Sequence, residues 1–246
     1  MKKNITLGSW LTLNNPYIAE VLSSAGFDWL CVDMEHSITD YADAQAMILT
    51  IQSRGLKAFV RVGENNSRII KRVLDAGADG IIVPMVNTLA DAQRAVSAVY
   101  YPPKGSRGVG LARAQNYGFG FEDYKDGKAR EITLIAQIEH VDAVQNLEQI
   151  LALDDIDGTI IGPYDLSGSM GKPGQWNDAD VVSVLEAYEN IARQSGKLMG
   201  YHVIQPDHRL VLEKIAAGYD FIAFSLDSLF LGTLAKTEMQ KIRGES

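Results

Sequence analysis

The chain has 246 residues, 46 % of them hydrophobic and one of them cysteine, with a formal charge of −8 and a pI near 5.0. That length buries roughly 70–75 % of the surface the unfolded chain exposes, enough for one sizeable core without disulfides; the acidic balance, with no clustered basic surface, excludes partners that are tracked by their nucleic-acid phosphates. No apolar run reaches ~18 residues and MKKNITLGSW lacks an apolar h-region, so neither a membrane span nor an export signal is expected, and a lone Cys31 in an apolar stretch fits a reducing cytoplasm.

In chain order, apolar runs without alternation read as strands buried on both faces at Thr6–Trp10, Trp29–Asp33, Ala58–Val62, Gly80–Pro84, Leu134–Glu139, Gly158–Gly162, Leu198–His202 and Phe221–Ser225. Between them lie helical patterns. NPYIAEVLSSAG has Asn15 as N-cap and Pro16 at the first helical position; SRIIKRVLDAG, LADAQRAVSAV, VDAVQNLEQIL, DADVVSVLEAYENIARQSG and PDHRLVLEKIAAG follow. Three joints echo one another: AGFDWLCV at 25–32, AGADGIIV at 76–83 and AGYDFIAF at 217–224. Each puts a glycine just past a helix and an aspartate two residues later. Eight strand-helix alternations predict an α/β chain folded as a single (β/α)8 TIM barrel over residues 1–246. An open doubly wound sheet is the rival, weak in its dinucleotide form because no G-x-G-x-x-G opens the first helix. Tyr101–Glu131 is too long for an ordinary connection and is expected to be functional or part of an interface.

Barrel enzymes build their chemistry at the carboxyl ends of the strands, and there this sequence puts its costly residues. Strand two runs into VDMEHS, with Asp33, Glu35 and His36; strand three carries Arg61 between Val60 and Val62, which requires an anion beside it. Strand five ends in Gln137 and Glu139, strand six runs into Asp165, and strand seven ends at His202. Taken singly, such residues are most simply solvated; their convergence on one mouth argues for a site. Glu139 and Asp165 come from adjacent strands with no basic neighbour in the sequence, a pair that suits a hard divalent cation or, on another reading, the acid/base pair of a glycosidase. Lys57 and Lys197 precede their strands, which disfavours Schiff-base chemistry, and no G-x-S-x-G elbow is present. Cys31 reads as core. Carbanion chemistry at this mouth therefore needs a metal.

The ordered motifs VDMEHS, VRV, VPMV, YPPKGSRGVG, QIE and IGPYDLS resemble the metal-dependent class II pyruvate aldolases of the HpcH/HpaI family, from about Gly8 to Gly232. The resemblance implies a homo-hexamer, a dimer of trimers, with the last helix exchanged between neighbours. It implies metal ligands at Glu139 and Asp165 for Mg2+ or Mn2+, with Co2+ as a further candidate. Substrate-binding positions match Arg61, Gln137, Gly162, Pro163, Tyr164 and Asp165, the last two through their backbone. Catalytic positions match His36 as general base, Arg61, Asp75 as the acid that raises the basicity of the histidine, and Asp33 as another acid near it. Asp75 lies in the last turn of a helix, against its dipole and at the rim away from its own mouth, which makes sense if it serves a neighbouring subunit. Arg107 and Arg113 of the long segment are candidates to do likewise. Tyr164, the LARAQNYGFGFEDY stretch and His202 depart from the best-known members on the aldehyde side.

The implied reaction is reversible cleavage of a 4-hydroxy-2-oxo acid to pyruvate and an aldehyde through a metal-stabilised pyruvate enolate. At an effective dielectric near 20 a dication contributes roughly 8 kcal/mol to such an enolate, against about 3–4 kcal/mol for one directed donor such as Arg61. The alternatives are an oxaloacetate decarboxylase or enolate-condensing synthase on the same site, or a non-catalytic 2-oxoacid-binding protein.

Overall fold

Residues 5–244 are described in the computed structural model; the first four residues, with both lysines of the N-terminal stretch, lie outside them, as do the last two. Eight parallel strands close into a barrel in chain order: β1 (Thr6–Leu11), β2 (Trp29–Asp33), β3 (Lys57–Arg61), β4 (Gly80–Val83), β5 (Thr133–Ile138), β6 (Gly158–Ile161), β7 (Leu198–Val203) and β8 (Phe221–Leu226). Every end lies within one residue of the sequence expectation, and the pairing of β1 with β8 excludes the open sheet. The helices are α1 (Pro16–Ser23), α2 (Tyr41–Ser53), α3 (Ser67–Asp75), α4 (Leu89–Val99), α5 (Phe121–Asp126), α6 (Val141–Gln145), α7 (Leu147–Leu151), α8 (Pro163–Ser169), α9 (Ala179–Ser195), α10 (His208–Ala216) and α11 (Asp227–Arg243). Asn15 caps α1 by accepting the Tyr17 N–H at 2.8 Å. The run expected as one helix over 141–151 is two, because the Asn146 side chain between them donates to the carbonyls of Asn87 at 3.0 Å and Asp142 at 2.9 Å.

The aspartates of the echoing joints share one task. Asp28, Asp79 and Asp220 accept the backbone N–H of Leu7, Ala58 and Met199 at 2.8, 2.9 and 2.7 Å, and Asp157 does the same for Leu134 at 2.7 Å. Each acid precedes an even-numbered strand and satisfies a donor near the start of the odd-numbered strand before it. The amino rim is thereby tied in pairs.

Period two divides each strand between the helices outside and the barrel axis inside. On the axis, Trp29 and Phe221 stack at 4.4 Å with Phe59 beside them. Gly8 and Gly80 make the room: a Cβ there would stand 2.0 Å from the Trp29 ring and 2.3 Å from the Phe59 ring. Cys31, Ile82, Ile135 and Ile160 complete this stack, so Cys31 is a core residue. One step further along the same inward rows come Asp33, Arg61 and Gln137, and on β7 His202 follows Leu198 and Gly200. The rows that are apolar at the base turn polar at the carboxyl mouth.

The 101–131 segment joins α4 to β5 and so lies at the amino rim, folded as two short 3-10 turns around α5. Arg107 is buried and donates to Asp75 at 2.7 Å and to the Tyr124 hydroxyl at 3.0 Å. Gln115 donates to Asp75 at 3.3 Å, and Arg113 donates to the Ala76 carbonyl at 2.9 Å and to Gln52 at 2.8 Å. Within their own chain Arg107 and Arg113 both answer the end of α3, where Asp75 and the helix carbonyls concentrate negative charge. At the other terminus α11 leaves the barrel. From Leu231 onward it is exposed, with Leu231, Leu234 and Ile242 at 62, 66 and 76 %. Among the described residues no helix is long and apolar enough to cross a membrane.

Candidate active site

The parallel register places Asp33 opposite Arg61. The guanidinium takes the carboxylate in a fork, Nε to Oδ1 at 2.9 Å and Nη2 to Oδ2 at 2.7 Å. This is the anion that an arginine between two valines required. Asp33 is 1 % exposed; burial alone would raise its pKa, but the hydrogen bonds and charge of Arg61 outweigh that and hold it below the usual carboxylate range. Its remaining contacts with the histidine segment are to backbone, accepting from the N–H of Glu35 at 3.0 Å and of His36 at 3.4 Å. The His36 imidazole itself turns outward, 69 % exposed, with Nε2 3.8 Å from Glu35 Oε2. Asp33 thus stands under Arg61, not beside the imidazole.

Glu35 takes a place that sequence reasoning did not assign. It lies 3.2 Å from Arg61 Nη1. Its carboxyl is pushed up to about 7, first by burial, against the pull of Arg61, with the charges of Glu139, Asp33 and Asp165 adding to the rise. Glu139, just past β5 and 6 % exposed, accepts the Met85 N–H at 2.7 Å and Gln137 Nε2 at 2.6 Å. Met85 holds φ +51, a left-handed conformation that costs a side-chain-bearing residue energy, and its N–H is the one that meets the acid. Burial raises the Glu139 pKa and the Asp165 charge adds to it.

Gly162 brings the two proposed ligands together. A Cβ at that position would sit 3.6 Å from Glu139 Oε2 and 3.8 Å from Asp165 Oδ2, so both carboxylates reach to within contact distance of one point beside Gly162. Beside it Gln137 Oε1 is buried without a hydrogen-bond partner. Mutually repelling acids around a space lined by oxygen are the donor set for a hard cation such as Mg2+ or Mn2+. No group of three or more His, Cys, Asp or Glu side chains suited to a metal occurs among the described residues, so the protein's share would be two carboxylates, with water and substrate oxygens completing the shell. The residues present fit such an ion.

A cavity of about 720 Å3 opens at this mouth, within the range of small-molecule sites. Arg61, Gln137, Gly162, Pro163, Tyr164 and Asp165 line it, and Trp10, Trp176, His202 and Lys214 are among its other lining residues. Glu139 and His36 are not among its lining residues. Arg61 also packs on the Trp10 indole, 4.4 Å from its centroid; the inward parity of Trp10 with Gly8 is the signal that could have found it, whereas Trp176 and Lys214 come from a loop and α10 and carry none. Asp75 is at the opposite rim, on Arg107 and Gln115, and does not meet His36 within the chain. A second cavity of similar size lies at that rim, but its Asp79 and Arg113 are engaged in strand-start and helix-end bonds.

The profile of the HpcH/HpaI aldolase/citrate lyase family matches residues 6–231. The hydroxypyruvate/pyruvate aldolase of Roseobacter denitrificans is 37 % identical over 232 residues, 94 % of this chain and 90 % of that protein. The 2-keto-3-deoxy-L-rhamnonate aldolase of Klebsiella pneumoniae is 38 % identical over 226 residues, 91 % of this chain and 83 % of that one. Among solved structures, an HpcH/HpaI aldolase/citrate lyase family protein from Burkholderia cenocepacia J2315 superposes with a TM-score of 0.91 at 32 % identity, covering 98 % of this chain and 95 % of the other. Fold, site and relatives together define a carbon–carbon lyase on a (β/α)8 barrel. The chain belongs to the HpcH/HpaI aldolase/citrate lyase family.

Proposed function

We propose that the protein is a divalent-metal-dependent aldolase that reversibly cleaves a 4-hydroxy-2-oxo acid into pyruvate and an aldehyde. The observation that carries this reading is the pair Glu139 and Asp165 facing one space across Gly162, beside Arg61 and Gln137. When bound by those acids, Mg2+ or Mn2+, with Co2+ as a third candidate, supplies a Lewis acid for the negative charge that develops on the 2-oxo oxygen. Arg61 is oriented by its fork to Asp33 and directs its remaining N–H groups at the same oxygen, a contribution of about 3–4 kcal/mol. Gln137, fixed through Glu139, and the backbone from Gly162 to Asp165 hold the substrate carboxylate. His36, or a water it controls, accepts the proton of the 4-hydroxyl as the bond between carbons three and four breaks. The aldehyde leaves, the electron pair stays on the pyruvate unit as its enolate, and protonation at carbon three gives pyruvate.

In this reading Asp75 raises the basicity of a neighbouring subunit's His36, since its own lies at the far rim. The bare apolar stripe of α11, Leu231, Leu234 and Ile242, docks on another copy of the chain in a dimer of trimers. A single buried thiol suits a cytoplasmic protein. The test is NMR of pyruvate in D2O with metal-loaded protein: the methyl protons should wash out, and excess chelator should stop the exchange. Retained methyl protons would overturn the proposal.

A further inference from the structure

The 101–131 segment directs a buried cation at the end of α3. Arg107 is 2 % exposed, donates from Nη2 to Asp75 Oδ1 at 2.7 Å and from Nη1 to the Tyr124 hydroxyl at 3.0 Å, and lies 4.7 Å from the Tyr101 ring centroid. Gln115, fully buried, donates to the same Oδ1 at 3.3 Å and to the Tyr101 hydroxyl at 2.9 Å, and its Oε1 accepts the Ala112 N–H at 3.0 Å. The second carboxylate oxygen is left alone. Asp75 Oδ2 has no hydrogen bond among the described residues and is not buried. Gly110 lies beside it, where an added Cβ would stand 3.5 Å away. Joining a helix to a strand does not call for this arrangement: the two echoing joints carry Ser24 and Ala216 in place of Asp75, and an acid at a helix C-terminus is unfavourable.

We infer that Arg107 and Gln115 are positioning residues: they fix Asp75 through Oδ1 so that Oδ2, kept bare by Gly110, is the oxygen presented to the His36 imidazole of a second copy of the chain. The inference rests on the reading above in which Asp75 serves a neighbouring subunit. A carboxylate at a helix end otherwise turns about its side-chain bonds and exchanges its oxygens. Two donors on one oxygen remove that freedom before the copies meet, so the pairing costs less entropy. A buried guanidinium pairs with the ionised acid, which leaves Oδ2 an acceptor only. Such an oxygen takes an imidazole by its N–H and leaves the other ring nitrogen free to accept a proton. His36, 69 % exposed with Glu35 Oε2 3.8 Å from its Nε2, gains its orientation in this way. The charged and titratable groups around the pair are Arg107, Tyr101 and Tyr124 from the segment, Lys71 one turn back on α3, and Glu35 with Arg61 behind it at the imidazole.

The test is an NMR pH titration of the imidazoles in Mg2+-loaded, assembled protein carrying 13C at histidine Cε1, the His36 signal being the one lost in His36→Ala. Asp75→Asn should lower the His36 midpoint by about one pH unit. Gly110 is not among the glycines at positive φ, so Gly110→Ala adds a methyl at ordinary contact distance and breaks no buried bond. It covers Oδ2 and should lower the midpoint by about half as much or more. Arg107→Lys keeps the charge but loses the planar fork, and should lower it likewise. Both variants should also slow pyruvate proton exchange in D2O by about tenfold or more. An unmoved midpoint in Gly110→Ala, with Asp75→Asn shifted, overturns the inference whether or not Arg107→Lys folds. Equal midpoints in Asp75→Asn and wild type instead remove the reading that Asp75 serves a neighbour, and the inference with it.

Discussion

At the scale of single residues, the mouth is a set of charges whose partners decide their state. Arg61 lies between a fully ionised Asp33 and a Glu35 pushed up to about 7, so one guanidinium serves two carboxylates of different character. Next to it His202 is lowered to about 4, by burial first and the Arg61 charge second. The consequence for stability follows from the sign of that shift. An unfolded histidine protonates near 6.5 and the folded one does not until about 4, so the unfolded state gains protons first as the pH falls. Stability is therefore full above about 6.5, declines between 6.5 and 4, and by pH 4.5 has lost about 2–3 kcal/mol from this group. The raised Glu35 carboxyl changes stability in the opposite sense over the same range, so the comparison is between proteins: in urea unfolding, the wild type should lose about 2–3 kcal/mol more than His202→Gln on going from pH 7 to 4.5. The residues of this mouth were legible in the sequence because each follows an apolar run. Their partnerships were not, since Asp33 meets Arg61 only through a strand register that a linear pattern does not contain.

At the scale of elements, the barrel is held by a division of labour within each strand. The inward base layer needs glycine on β1 and β4 so that Trp29 and Phe59 can cross the axis. Gly8→Ala would put a methyl 2.0 Å from the Trp29 ring and displace the stack against Phe221; we expect a loss of about 3 kcal/mol, read as a lower urea midpoint with an unchanged m-value. The three echoing joints announced β2, β4 and β8, each starting where the sequence put it, because the glycine that ends a helix and the aspartate that precedes a strand each perform a local backbone task. The fourth such aspartate, Asp157, was hidden by LDDIDG, where no glycine precedes it. The 101–131 segment was illegible for the opposite reason: its order comes from Arg107, Gln115 and Tyr124 closing on Asp75, contacts between residues far apart in the chain.

At the scale of the whole molecule, the proposed reading makes one barrel an incomplete site. His36 and Asp75 stand at opposite rims, and α11 carries an apolar stripe that its own barrel does not cover. If each site takes His36 from one chain and Asp75 from its neighbour, His36→Ala and Asp75→Asn proteins, each inactive alone, should recover activity when dissociated and reassembled together, up to about a quarter of wild type for random mixing. Absence of recovery would place the two residues in one chain's chemistry or in none. The account nevertheless turns on the space across Gly162, where Glu139 and Asp165 converge. The most direct measurement is electron paramagnetic resonance of free Mn2+ titrated into metal-stripped protein, wild type against Glu139→Gln/Asp165→Asn. We predict that the wild type removes Mn2+ from solution in proportion to its chains until the site is filled and that the double variant removes none; equal binding by both, or none by the wild type, would contradict the account.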